Sequence, residues 1–151
     1  MESSGRRLTP AERWFVYGLW GFAVELFYTS MWNAAFDEAA ERWKLRGHSS
    51  LYALAIYGVG GLIMETLYRR WKGSVPFLVR TVVYTACIVA WEYLSGWLLR
   101  RFGACPWDYE PWFRYHLHGL VTAEYVPLWF LGCCVSEDLV IKPTLSLRRV
   151  L

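Results

Sequence analysis

The 151-residue sequence is poor in charged side chains and lacks the short motifs of several common catalytic sites. Charged residues make up 19% of it, against the roughly 25% typical of soluble domains. No GxxxxGK[ST] phosphate loop, HExxH zinc motif or CxxC pair occurs, so the sequence predicts no nucleotide, metal or other cofactor. The net charge of +3 is too small to indicate a nucleic-acid partner.

Hydrophobic and aromatic residues are abundant instead, at 56% and 19% of the chain. Ten Trp, ten Tyr and eight Phe exceed what one core of this size easily buries, which favours a lipid environment. Four apolar stretches approach the length of about 20 residues that a membrane helix needs. They are continuously apolar, which predicts helices and not the alternating strands of a barrel. We therefore predict an all-α, four-helix transmembrane bundle in one domain over residues 1–151, with spans at 14–36, 51–68, 77–99 and 119–141.

The ends of the predicted helices carry their own signals. Thr9, Pro10 and Glu12 match a capping box with proline at the first helical position. Pro143 is expected to end the fourth span. Residues 37–46 read either as an amphipathic extension along the membrane interface or as a solvated helix end.

The basic residues indicate an orientation. Four spans place both ends of the chain on one side of the bilayer. Ten basic residues lie on that side and six on the other, so the positive-inside rule predicts cytosolic termini. The ten are Arg6, Arg7, Arg13, Arg69, Arg70, Lys72, Arg80, Lys142, Arg148 and Arg149; the six are Arg42, Lys44, Arg46, Arg100, Arg101 and Arg114.

A motif recurs in the first two spans at a distance of 40 residues. The pattern YGxxGxxxExxY comprises Tyr17, Gly18, Gly21, Glu25 and Tyr28 in the first, and Tyr57, Gly58, Gly61, Glu65 and Tyr68 in the second. Tyr84 likewise precedes Glu92 by eight residues in the third. Successive helices run in opposite directions, so the pattern predicts an inverted internal repeat, with a bias toward Gly and Tyr as the alternative explanation.

Carboxylates inside the predicted spans are the candidate functional groups. The small residues of the repeat allow close helix approach and turn the carboxyl groups inward. A carboxylate in hydrocarbon is costly, so Glu25, Glu65, Glu92 and Glu124 are predicted to line a proton or cation path or an acidic pocket. Asp108, in the loop CPWDY, is placed at its mouth or as a cap on the loop. The alternative is that each glutamate is protonated and only hydrogen-bonds across helices.

Other polar groups predict less. Glu137 and Asp138, close to Lys142, are expected to form ordinary salt bridges at a helix end. His116 and His118 offer metal-ligand types, but a spacing of two on a helix separates their rings, so no metal site is predicted. No glycine elbow surrounds Ser95 or Cys105, so neither is predicted to be a nucleophile. The four cysteines predict no disulfide framework.

Four segments resemble the transmembrane protein 229 family. They are IYGVGGLIMETLY (56–68), WEYLSG (91–96), ACPWDY (104–109) and GLVTAEYVPLWF (119–130). That family belongs to a wider set of small membrane proteins catalogued as putative ABC-transporter components. The resemblance covers residues 9–147 and implies a multi-pass membrane protein without an established activity. Glu25, Glu65, Glu92, Asp108 and Glu124 match family positions that carry no assigned role.

Three functions remain open at this point. The first is a non-enzymatic membrane protein whose acidic interior moves or binds a proton, a cation or a small polar solute, expected to form a homo-oligomer or part of a larger membrane complex. The second is a regulatory or partner subunit in which the glutamates only specify packing. The third is a membrane-embedded enzyme acting on lipid, with Glu92, Glu124 and Asp108 as general acid and base candidates.

Overall fold

The computed structural model describes residues 5–36 and 42–149. Its long elements are helices, which confirms the predicted all-α class: α1 (Pro10–Phe36), α2 (Leu51–Trp71), α3 (Phe77–Arg101) and α4 (Val126–Ser136). A π-helical turn (Glu137–Ile141) joins α4 to α5 (Lys142–Ser146). The short elements are β1 (Arg6–Arg7), β2 (His116–Leu117), β3 (Val121–Thr122), a 3-10 turn (Ala123–Tyr125) and β4 (Arg148–Arg149). Half of the predicted segment 37–46, residues 37–41, lies outside the described residues.

Among residues 5–36 and 42–149, two helices, α2 and α3, are long and apolar enough to cross a membrane, against the four spans predicted. At the start of α1 the capping box forms as expected. The Thr9 amide donates to Glu12 Oε2 at 2.7 Å, and the Glu12 amide donates back to Thr9 Oγ1 at 3.3 Å. Ser50 caps α2 by accepting from the Tyr52 amide at 3.1 Å. These caps satisfy amides that have no partner within their own helix.

The last helical segment differs from the predicted span 119–141 at both ends. Gly119, at φ +63°, and the β2–β3 hairpin occupy its first residues, so the helix proper begins at Val126. At the other end the helix continues through Pro143 to Ser146. The amide of Lys142 bonds to the Glu137 carbonyl five residues back, and Pro143 then falls in the first turn of α5. A proline is tolerated there because no intrahelical partner for its missing N–H is required.

The repeated motif packs against itself in the first hairpin, which consists of α1 and α2. A Cβ atom at Gly61 would lie 2.4 Å from the Tyr17 side chain, and one at Gly21 would lie 2.1 Å from the Tyr57 side chain. Each tyrosine therefore covers the second glycine of the other copy. The first glycines serve in the same way, with Gly18 against the Leu54 carbonyl and Gly58 against Trp14. The glycines thus bring the two antiparallel helices into direct contact along this seam.

The second hairpin consists of α3 and the segment from α4 to α5. It shares a buried core with the first hairpin at the end of the molecule where α1 and α3 begin, here called the terminal end. That core contains Tyr17, Met64, Tyr84, Cys133 and Ile141. Beyond it, β1 pairs antiparallel with β4 and joins the beginning of one hairpin to the end of the other.

Candidate functional site

Glu65 is held in a buried ion pair at the terminal end of the first hairpin. Its two carboxylate oxygens accept from Arg13 Nε at 2.7 Å and Arg13 Nη2 at 2.9 Å. Tyr17 Oη donates to Glu65 Oε2 at 2.8 Å, and Arg69 Nη1 lies 3.3 Å from Oε1. The third guanidinium nitrogen of Arg13 donates to the Leu8 carbonyl. Both charges are therefore neutralised and hydrogen-bonded inside the fold.

Glu137 is held in the same way at the terminal end of the second hairpin. Arg80 Nε and Nη2 donate to its oxygens at 3.1 and 2.6 Å, and Tyr84 Oη donates to Oε2 at 2.9 Å. Arg80 Nη1 donates to the Val75 carbonyl, five residues before it, as Arg13 does with Leu8. Glu137 is fully buried, and its main partner is Arg80 and not Lys142, the helix-end cation that the sequence predicted. Lys142 bonds to Asp138 and reaches Glu137 only at 3.7 Å.

The two ion pairs relate the hairpins to each other. The same atoms of arginine, tyrosine and glutamate make the same bonds in both, and each arginine stands four residues before its tyrosine. When Arg13 is superposed on Arg80 in sequence, Tyr17 falls on Tyr84 and Glu25 falls on Glu92. The two hairpins therefore share one arrangement of arginine, tyrosine and glutamate, in addition to the sequence motif that α1 and α2 share.

The equivalent residues Glu25, which is half-buried, and Glu92, which is buried, lie in a second group of polar side chains. Glu92 is 8% exposed; its Oε1 accepts from Tyr109 Oη at 2.8 Å, while its Oε2 is buried without a hydrogen-bond partner among the described residues. Glu25 lies beside Ser49 and Tyr57, and Tyr57 interacts electrostatically with both carboxyls. Ser49 Oγ is also buried and lacks a partner in the described part of the chain. We call these five residues the interior carboxylate cluster.

The cluster differs from the ion pairs in charge. In the described ranges, no ion pair joins Glu25 or Glu92 to an arginine or lysine. Each glutamate stands twelve residues beyond Arg13 or Arg80 along its helix, which is about 18 Å at the helical rise. The arginines that neutralise Glu65 and Glu137 are thus too distant to neutralise the cluster.

An aromatic layer covers the cluster on the side away from the terminal end. Tyr28 donates to Tyr125 Oη at 2.8 Å, and the ring of Tyr125 lies 5.2 Å from Tyr109 and 4.7 Å from Phe113 between centroids. Trp32 packs on the same rings. Burial raises the pKa of Tyr109 above its ordinary value, which keeps it a hydrogen-bond donor to Glu92.

The two remaining predicted site residues lie in the loop before α4, outside the cluster. Asp108 is half exposed; its Oδ1 accepts from Arg100 Nη2 and from the Glu110 amide, both at 3.1 Å. Glu124 is exposed, and its Oε1 accepts from the amides of Arg114 and Tyr115 at 3.0 Å. The Thr122 hydroxyl donates to Oε2 and lowers the pKa of Glu124 below its usual range. Both carboxylates organise the loop that delivers Tyr109.

The histidines and cysteines form no metal site among residues 5–36 and 42–149. His116 Nδ1 accepts from the Gly119 amide at 3.0 Å, and His118 bonds to Tyr93 at 3.0 Å. All four cysteines are free thiols. Two apolar surface grooves in the described part of the molecule, one beside Val82 and Phe130 and one beside Val59 and Cys87, are lined by neither Glu25 nor Glu92.

Sequence reasoning missed Glu137, although a signal for it exists. Trp129 precedes Glu137 by eight residues, the same distance that separates Tyr17 from Glu25, Tyr57 from Glu65, and Tyr84 from Glu92. The sequence analysis selected Glu124 instead, because it is a carboxylate inside the predicted span 119–141. An aromatic residue eight positions before a glutamate is therefore common to all four long helical segments.

Comparison with known proteins identifies the family. No solved structure matches the chain. One family model matches residues 13–150, which include both ion pairs and the interior carboxylate cluster. The chain belongs to the family described as putative ABC-transporter type IV.

Proposed function

We propose that this chain is a multi-pass membrane protein with a transport-related role, in which the interior carboxylate cluster binds a proton or a small monovalent cation. We also assign it, within its family, to the transmembrane protein 229 group on the motifs quoted above. All four long helical segments cross the bilayer in this proposal, with cytosolic termini. The arginines of the ion pairs then lie near one membrane surface and the cluster lies deeper.

The distribution of apolar side chains supports four spans. The 27-residue α1 is long enough to cross, and it exposes Phe27 at 69% and Val24 at 57%. The last segment is helical from Val126 to Ser146 and exposes Leu131 and Leu139 at about the same level. Soluble proteins rarely expose so many contiguous apolar side chains. Lipid chains are the environment in which such surfaces are stable.

A single atom carries the proposal for the site, namely Oε2 of Glu92, which is buried and has no hydrogen-bond partner among the described residues. An ionised carboxylate in such a place is unstable unless a cation or a proton neutralises it. The protein neutralises Glu65 and Glu137 with arginine but leaves Glu25 and Glu92 without one. When its carboxyl groups are ionised, the cluster therefore carries negative charge that an exchangeable cation can neutralise. Tyr57, Tyr109 and Ser49 add neutral oxygens that suit a proton or a hard monovalent ion.

Four helices enclose little volume, so we propose that the path is completed between copies of the chain or with a partner subunit. The expected partners of the chain are therefore the lipid bilayer and either further copies of itself or the other subunits of a larger complex. This arrangement also agrees with the apolar character of the two surface grooves.

Reconstitution into liposomes tests the function. Vesicles that carry the protein are loaded with a pH-sensitive or a sodium-sensitive dye and given a gradient of the matching ion. We expect the wild type to speed the decay of one gradient, and Glu92→Gln and Glu25→Gln to abolish that effect. Glu110→Gln, which changes an exposed loop carboxylate, is the matched control and should retain it. Wild-type vesicles no leakier than empty ones would overturn the proposal.

A further inference from the structure

Four arginines meet at the terminal end of the molecule. Arg6 and Arg7 form β1, Arg148 and Arg149 form β4, and the pairing places Arg6 opposite Arg149 and Arg7 opposite Arg148. All four residues are exposed. We call them the arginine ribbon. Residues from the two ends of the described chain thus form one basic strand pair, with one pair of arginines on each of its faces.

The ribbon has little charge compensation of its own. Like charges that face each other across a strand pair destabilise it. Glu12 is the one acidic partner that the described residues supply: it lies 3.4 Å from Arg149 and interacts electrostatically with Arg6. Arg13 and Arg80 differ from the ribbon, because each of their three guanidinium nitrogens donates to a glutamate or to a backbone carbonyl. Counted over the described residues, the ribbon keeps a surplus of positive charge.

The position of the ribbon suggests what neutralises it. β1 ends shortly before α1 begins at Pro10, and β4 starts just after α5 ends at Ser146. If the helices cross the bilayer with cytosolic ends, the ribbon lies at the headgroup level of the cytoplasmic leaflet. That leaflet carries the anionic phospholipids in many cells. A planar guanidinium group binds phosphate and carboxylate oxygens in a bidentate manner.

We propose that the arginine ribbon is a docking site for the headgroups of anionic phospholipids. The inference rests on the proposed membrane topology but not on ion binding at the interior carboxylate cluster. Binding of a headgroup brings negative charge beside a pair of arginines, Arg6 with Arg149 or Arg7 with Arg148, whose members otherwise repel each other. Lipid binding therefore stabilises the strand pair that joins the two hairpins.

Thermal unfolding of the detergent-solubilised protein tests this. The midpoint is measured during titration with short-chain phosphatidylserine, phosphatidylcholine or inorganic phosphate. We expect phosphatidylserine to raise the midpoint in a salt-dependent manner, and phosphatidylcholine and inorganic phosphate at the same concentration to leave it unchanged. The double variant Arg7→Gln/Arg148→Gln should weaken the apparent phosphatidylserine affinity by about tenfold or more.

Three comparisons keep the result unambiguous. Arg70→Gln/Lys72→Gln removes the same charge from the same end of the molecule and should keep the wild-type affinity. Arg7→Lys/Arg148→Lys keeps the charge, so it should respond to phosphatidylserine if the glutamine variant fails to fold. Glu92→Gln should lose ion flux while keeping the lipid response, which separates the two proposals. Equal stabilisation by phosphatidylcholine or by phosphate, or equal weakening in the Arg70 and Lys72 variant, would overturn lipid docking.

Discussion

At the residue scale, glutamates in similar helical positions have different surroundings. Glu65 and Glu137 are bound by an arginine, a tyrosine and a nearby second cation. Glu92 has one tyrosine and an unpartnered oxygen. Removing one partner of a buried ion pair destabilises a fold strongly, because the other charge is then buried without a partner. The first two glutamates therefore stabilise the fold, and the third is the one that we propose binds a proton or a cation.

Stability measurements should separate these roles. We expect Glu65→Gln to lower the free energy of unfolding by about 3 kcal/mol, because it leaves Arg13 without its carboxylate. Glu137→Gln should act similarly through Arg80. Glu92→Gln keeps an oxygen that can accept from Tyr109 and removes no ion pair, so its cost should stay within about 1 kcal/mol. Chemical denaturation in detergent provides the comparison. A loss at Glu92 as large as that at Glu65 would make Glu92 a packing residue.

At the element scale, glycines determine how closely α1 and α2 approach. Gly61→Ala would place a methyl group 2.4 Å from the Tyr17 side chain, and the tyrosine could not yield without loosening its bond to Glu65. We expect a loss of about 2 kcal/mol in unfolding free energy. Gly132→Ala is the matched control in α4, since nothing lies within 4 Å of its added Cβ, and it should be neutral or slightly stabilising. Thermal midpoints of the two variants would decide; equal midpoints would contradict close packing at Gly61.

The motif spacing predicted the seam of the first hairpin, because glycines and aromatic residues at helical spacing have few other uses inside apolar runs. The fourth helix was harder to predict. The apolar character of residues 119–122 resembles the start of a span, while the structure uses them in the turn and second strand of the β2–β3 hairpin, with Gly119 at a positive φ in the turn. Pro143 normally ends a helix, and here a π-turn places it in a new first turn. Such local changes of hydrogen-bond register leave no periodic trace in a sequence.

The two buried ion pairs could not be predicted from the sequence, for a different reason. Arg13 and Arg80 lie near predicted membrane boundaries, where a basic residue ordinarily faces the aqueous side. Arg13 points inward because α1 packs against the end of α2, where Glu65 lies. Arg80 points inward because α3 packs against the turn after α4, where Glu137 lies. The grouping of Glu25 with Glu92 likewise depends on contacts between hairpins. Long-range pairing of this kind needs the fold.

At the scale of the whole molecule, the proposed topology places the turn between α2 and α3 on the opposite side of the bilayer from the loop before α4. In a cysteine-free background, we expect Gly73→Cys to react with a membrane-impermeant thiol reagent from the cytosolic side alone, and Glu110→Cys from the other side alone. Gly73 has open space for a side chain, and Glu110 is exposed. Labelling of both positions from one side would contradict four spans, because α3 would then not cross.

The β1–β4 pairing also implies that the two hairpins could follow each other along the chain in either order and still pack in the same way. Since residues 6–7 lie beside residues 148–149, a short peptide could join them into a ring. Opening that ring at Gly73, where no neighbour lies within 4 Å of an added Cβ, would give a circularly permuted chain with α3 first and α2 last. Each ion pair, and every member of the interior carboxylate cluster, would keep its neighbours in such a chain. The polar interior thus belongs to the assembled hairpins, whichever of them is synthesised first.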